Sequence, residues 1–196
     1  RFRAQSCAVI TGADSILLDN AKMTVRWSEL GELNTKYQES DIRQPVRVVI
    51  DSQNRLTPEL AFFKQPSKII LIRTNLENIQ PWPHFVEQVQ IPFAIDEKNI
   101  KSEKAKVDLL LLLKALAKRG LNDVLIESGA RLAGAFIEQN LVDELILYQA
   151  PKLMGSDAKS LLNMPKIESL LSAKSLSFKD VRFVGKDIRI IAALNK

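Results

Sequence analysis

The feature that most constrains this chain is a recurrence of short aliphatic runs of strand length. Cys7 to Thr11, Val46 to Asp51, Lys68 to Arg73, Asp123 to Glu127 and Glu144 to Gln149 are all of this kind. Runs without polar alternation belong to strands buried on both faces. Helical patterns separate the later ones. Leu109, Leu112, Leu113 and Leu116 fall at i, i+3, i+4 and i+7 of a helix predicted over Lys104 to Lys118, with Gly120 placed to stop it. A second helix is predicted over Ala130 to Gln139. Such alternation predicts a parallel sheet covered by helices. Val89 to Phe93 reads as a weaker strand, and Trp27 to Gln44 as a long surface loop. Arg1 to Ser6 resembles the last turn of a helix, and another helical turn follows Gly12. Near the end, Ser177 to Val184 and Ile188 to Ala193 flank Gly185-Lys186-Asp187 and read as an antiparallel hairpin. The expected class is therefore α/β: a mixed, mostly parallel sheet flanked by helices, with that hairpin at its edge.

At 196 residues and 46% apolar content, the chain suits one globular domain. Its longest aliphatic run, Leu109 to Leu113, is closed by Lys114. That is far short of the roughly 20 residues that span a bilayer, so no membrane partner is expected. The formal charge is +5, but the basic residues are scattered among 23 acidic ones, with no basic stripe and few aromatics, so nucleic acid is not an expected partner either. The single cysteine, Cys7, excludes an internal disulfide framework and any cysteine-based zinc cluster, and fits the cytoplasm.

No zinc-ligand spacing, nucleophile elbow, Cys-His pair or carboxylate pair stands out. An enzyme built this way would borrow its chemistry from a cofactor, and hydride transfer fits that description. Val124 to Phe136 is an apolar run, an acidic residue, a glycine turn and a helical pattern. The segment fits either a phosphate-binding crossover, with Gly129 free to adopt positive φ, or an ordinary strand-to-helix turn. Arg3 and Arg26 are candidate phosphate ligands or solvated arginines. Asp19 could cap a helix or hold a ligand, and Ser52 lies where a buried strand ends, a ligand position in open α/β sheets and equally a turn position. Cys7 reads as a buried, inert thiol, and His84, in a proline-flanked loop with no nearby partner, as non-catalytic.

Five ordered segments carry a resemblance. Arg3-Ala4-Gln5-Ser6-Cys7-Ala8-Val9-Ile10 comes first, then Asp19-Asn20 with Met23-Thr24-Val25-Arg26. Arg43-Gln44-Pro45-Val46-Arg47-Val48-Val49-Ile50-Asp51-Ser52 and Glu127-Ser128-Gly129-Ala130 follow. Leu141-Val142-Asp143-Glu144-Leu145 with Ala150-Pro151-Lys152-Leu153-Met154-Gly155 closes the series. In this order they resemble the reductase domain of the bifunctional riboflavin biosynthesis deaminase/reductase, over nearly the whole chain.

That resemblance implies a dihydrofolate-reductase-like fold and NADPH-dependent reduction of 5-amino-6-(5-phosphoribosylamino)uracil, a phosphorylated pyrimidine, to its ribitylamino product. It implies substrate contacts from Arg3, Met23, Arg26 and Glu127, the arginines holding the phosphate. Ser15, Asp19, Ser52 and the turn of Gly129, Ala130, Arg131, Leu132, Ala133, Gly134 and Ala135 would hold NADPH. No metal is expected in this domain, zinc belonging to the family's deaminase domain, and a homodimer is the expected assembly. Residues 1–196 would then be a reductase domain without the family's opening strand, which is expected to run beside Val124 to Glu127; a protein beginning at Arg1 would fold weakly and show little activity. Ser128 stands where the family usually has Gly or Ala. Another reductase of this fold, or a non-catalytic nucleotide-binding domain, are the alternative readings.

Overall fold

A computed structural model describes residues 1–76, 80–94 and 106–195. They form two compact units, Arg1–Gly129 and Ala130–Lys196. The first unit opens with α1 (Phe2–Gln5), β1 (Ala8–Gly12) and α2 (Ala13–Asp19). After three short 3-10 turns within residues 27–41 come β2 (Val46–Ile50), β3 (Ile69–Arg73), β4 (Val86–Gln90), α3 (Leu109–Ala117) and β5 (Val124–Ile126). The strands make one five-stranded sheet in the order β4-β3-β2-β1-β5, every pairing parallel. β5 pairs with β1 on one side and, among the described residues, with no strand on the other.

Burial explains why the strands read as continuous apolar runs. Val49 and Leu71 join Ala13, Ile16, Met23, Leu56, Phe62 and Phe63 in one cluster, while Ile10, Val48, Ile70 and Ile72 alternate with them along the strands and are fully buried too. Both faces are covered, so alternation of polarity has no selective basis. Polar interruptions are few. Asp51, 1% exposed, closes the turn after β2 by accepting from the amides of Arg55 and Leu56 at 3.0 and 2.9 Å.

Two boundaries differ from the sequence reading. The fourth strand is Val86–Gln90, not Val89 to Phe93, because Val86 through Gln90 hold register with Ile69 through Arg73. Pro92 then interrupts the ladder, and Phe93 bridges Val107 instead. The predicted helix from Lys104 starts at Leu109, since the Asp108 carboxylate accepts from the Leu111 amide at 2.9 Å and caps it there. Lys104 itself lies outside the described residues. Gly120, at φ +76, turns the chain out of α3 as expected.

The second unit holds α4 (Ala130–Glu138), β6 (Glu144–Gln149), β7 (Leu176–Val184) and β8 (Asp187–Leu194). β6, whose place after a helix suggested a parallel strand, instead joins an antiparallel sheet of order β6-β8-β7. The alternation of helix and strand could not reveal this, because its partner β8 is some forty residues further on. A bulge at Lys179 gives Leu176, Phe178, Val181 and Phe183 one common face, opposite Leu194, Ala192, Ile190 and Ile188. Gly185, at φ +63, closes the predicted hairpin.

Candidate functional site

The first unit's parallel strands all end at one edge, and the segments directly after β1, β2 and β5 carry Ser15, Asp19, Ser52, Glu127 and Gly129. Ser15 sits on α2, half-buried, and Asp19 is its exposed last residue. A carboxylate there faces the negative end of the helix dipole, which makes capping a poor account of it. Ser52 follows β2, and its carbonyl accepts from the Thr74 hydroxyl at 3.1 Å. Beside them Asn54 donates to Asn75 at 2.5 Å, and Arg55 pairs with Asp14. This is the edge at which open α/β sheets bind ligands.

Three of the four residues assigned to substrate meet in direct contact. The Arg3 guanidinium forks onto Glu127, with Nε donating to Oε2 at 2.8 Å and Nη2 to Oε1. Its Nη1 donates to the Thr24 carbonyl at 2.7 Å, and Nη2 lies 3.7 Å from the Met23 sulfur. The hydrogen bond to Glu127 raises the arginine's pKa above its ordinary value, with a further contribution from the charge of Glu29. Arg26, the fourth residue, is 64% exposed and engaged by Glu29 at 2.7 Å. It lines an open cleft of about 530 Å³ whose other walls include Thr24, Trp27, Gln44, Gln65 and Ser67.

The loop carrying these residues is held against its own preference. Met23 is buried and yet has φ 55, a left-handed conformation costly for any residue with a bulky side chain. Arg3 holds Thr24, and Gln44 holds Val25 by donating to its carbonyl at 3.2 Å and accepting from its amide at 2.8 Å. Sequence reading missed Thr24 and Gln44, because a main-chain carbonyl used as an anchor leaves no compositional trace. It missed Arg47 as well, although a charge inside an otherwise apolar strand was a usable signal.

The turn after β5 departs from expectation at its glycine. Gly129 is not at positive φ; a Cβ added there would meet nothing within 4 Å, so what the residue offers is open space rather than a special conformation. The Ser128 hydroxyl is buried with no hydrogen-bond partner among the described residues, as is that of Thr11 at the end of β1. In α4, Arg131 is exposed and Ala130, Leu132, Ala133 and Ala135 are half-buried. Gly134 is buried against the chain itself, where a Cβ would lie 2.2 Å from the Asn163 carbonyl oxygen. Two residues mentioned above fall outside this constellation. Cys7 is half-buried just before β1, not buried within it, and His84 packs edge-on to Phe85.

Among the described residues no helix is long and apolar enough to cross a membrane. The family model described as the RibD C-terminal domain matches residues 1–190. The riboflavin biosynthesis protein RibD of Escherichia coli is 42% identical over 188 residues, covering 95% of this chain and 48% of that protein. The chain thus spans about half the length of the first curated relatives it matches. A Buchnera aphidicola protein named 5-amino-6-(5-phosphoribosylamino)uracil reductase is 34% identical, covering all of this chain and 90% of its own length. Among solved structures, Acinetobacter baumannii RibD superposes with a TM-score of 0.79 at 28% identity, covering 100% of this chain and 48% of that one. The two-unit fold, the ordered segments and these matches agree that this chain belongs to the RibD C-terminal domain family.

Proposed function

We propose that this domain reduces 5-amino-6-(5-phosphoribosylamino)uracil to the ribitylamino product of riboflavin biosynthesis, using NADPH. The observation that carries the reading is the Arg3–Glu127 fork with Met23 against it, which joins three of the four residues the family resemblance gives to substrate. Support for the reaction comes from the Buchnera reductase, most of whose length this chain matches.

In this reading Glu127 accepts hydrogen bonds from the substrate while Arg3 fixes its rotamer. The phosphate falls to Arg26 and not to both arginines, because Arg3 is engaged by Glu127 and Thr24, whereas the exposed pair of Arg26 with Glu29 is weak enough for a phosphate dianion to displace. Ser15, Asp19, Ser52 and the residues from Gly129 to Ala135 take the cofactor, except Gly134, which is filled from within by the Asn163 main chain and has no room for a ligand. The open space at Gly129, the unpartnered Ser128 hydroxyl and the helix start at Ala130 suit a pyrophosphate that must approach main-chain amides closely. When bound, NADPH supplies the hydride; the carbon that accepts it is C1′ of the ribose, in the ring-opened imine. The protein's task is to orient that carbon and exclude water, with no side chain acting as nucleophile.

NADPH oxidation followed with the ribosylaminouracil and, separately, with dihydrofolate tests the assignment. Turnover of the first and not the second is expected; turnover of dihydrofolate alone would move the domain to another reductase class. No turnover and no thermal shift with NADP would make it a non-catalytic domain. Arg26→Ala is expected to raise the substrate KM about tenfold or more, the scale of one charged hydrogen bond, with the NADPH KM unaltered. An unchanged substrate KM removes Arg26 from the site.

The same reading makes a second copy of the chain the partner. Phe178 and Phe183 stand 70% and 76% exposed on the apolar face of β7, more than an isolated surface favours. Phe183→Asp is expected to convert a dimer to a monomer in sedimentation. A wild-type monomer would refute the assignment.

A further inference from the structure

Resting on the substrate reading of Met23 to Arg26, we infer that Arg47 and Gln44 are positioning residues that set the height and tilt of this loop from beneath and beside it. Arg47 is fully buried on β2, and among the described residues no carboxylate pairs with it. All five of its N–H donors are used, and on uncharged oxygens. Nε donates to the Ser67 hydroxyl at 2.9 Å, Nη1 to the carbonyls of Lys22 at 3.1 Å and Phe62, and Nη2 to the carbonyls of Gln65 at 2.7 Å and Ser67 at 3.3 Å. Its guanidinium carbon lies 4.8 Å from the centre of the Phe62 ring. Burial pushes its pKa down to about 10, which leaves it charged at neutral pH.

A buried charge without a counter-ion is costly, and here only carbonyl dipoles, one hydroxyl and a ring face offset that cost. The set of acceptors is what gives the arrangement meaning. Lys22 leads into the loop, and Gln65 and Ser67 line the same cleft as Arg26, so one planar group ties the start of the loop to the 65–67 segment of that cleft at a fixed spacing. Gln44 completes the hold by bonding both main-chain groups of Val25. Lysine has three donors on a single nitrogen and no planar fork, so it cannot reproduce the span.

The test compares Arg47→Lys, Gln44→Leu and Arg26→Ala in the whole protein. For Arg47→Lys the expected result is a substrate KM raised about ten- to a hundredfold, the scale of an ångström's misplacement, with the NADPH KM within about twofold of wild type. Amide exchange at Val25 should accelerate while the amides of β1 to β3 stay protected. A substrate KM that does not move, or one that rises in step with that of NADPH, overturns the inference, as does unaltered exchange at Val25. Should Arg47→Lys fail to fold, Gln44→Leu decides by the same criteria. Arg26→Ala keeps the two readings apart. If it leaves the substrate KM unchanged, the substrate reading falls; if it raises KM while Arg47→Lys and Gln44→Leu do not, the positioning role alone falls.

Discussion

Replacing Arg3 with alanine is expected to lower kcat/KM for the ribosylaminouracil by about a hundredfold, the scale of two charged hydrogen bonds lost together. The substitution removes both bonds to Glu127, the bond to the Thr24 carbonyl and the approach to the Met23 sulfur. Glu127, 42% exposed, would then turn toward solvent and lose the orientation the fork imposes. Arg3→Lys keeps the charge but cannot make two parallel bonds, so it should recover only part of the loss. The circular dichroism and melting temperature of both variants should stay near wild type, because Arg3 is only partly buried and its helix is one turn long. A kcat/KM within threefold of wild type for Arg3→Ala would sink the role given to this pair.

Gly134→Ala is expected to be severely destabilising although alanine is the better helix former. Helix propensity favours the substitution by about 1 kcal/mol. The new Cβ, however, would sit 2.2 Å from the Asn163 oxygen and 2.9 Å from its carbonyl carbon, contacts real structures do not tolerate. The obstacle is main chain, not the tip of a flexible side chain, and the Asn163 amide is itself bonded to the Ala130 carbonyl at 3.0 Å. Overpacking of this severity costs about 3 kcal/mol, or a fall of roughly 6–12 °C in Tm for a domain of this size. Gly129→Ala, with open space where the Cβ would go, should leave Tm within about 2 °C and act on NADPH affinity alone. Equal melting temperatures for wild type and Gly134→Ala would show that the Asn163 segment does not lie against α4.

The two glycines illustrate what the amino-acid string can and cannot convey. Both lie in the turn assigned to the cofactor, and nothing local distinguishes a glycine that leaves room for a ligand from one that leaves room for the chain's own residue 163. Strand positions were legible because burial on both faces imposes a composition: Ile69 to Arg73 and Val46 to Ile50 stand where their apolar runs predicted. The start of α3 was less so, because Asp108 stops the helix through one capping bond that competes with a longer apolar pattern. Arg3 and Glu127, 124 positions apart, are linked in the sequence only by the ordered family segments; no periodicity relates them. Arg47 shows the opposite case. Its charge was visible in the sequence, but its partners are carbonyls, which every residue has.

The left-handed Met23 has a consequence for how this protein is made. The hydrogen bonds to residues 22–25 come from α1, from Gln44 and from β2, and β2's arginine is itself complete only with the carbonyls of residues 62–67. On the ribosome, therefore, the loop cannot take its final shape when it emerges. Its full set of partners exists only once Ser67 has been synthesised and β2 has docked beside β1.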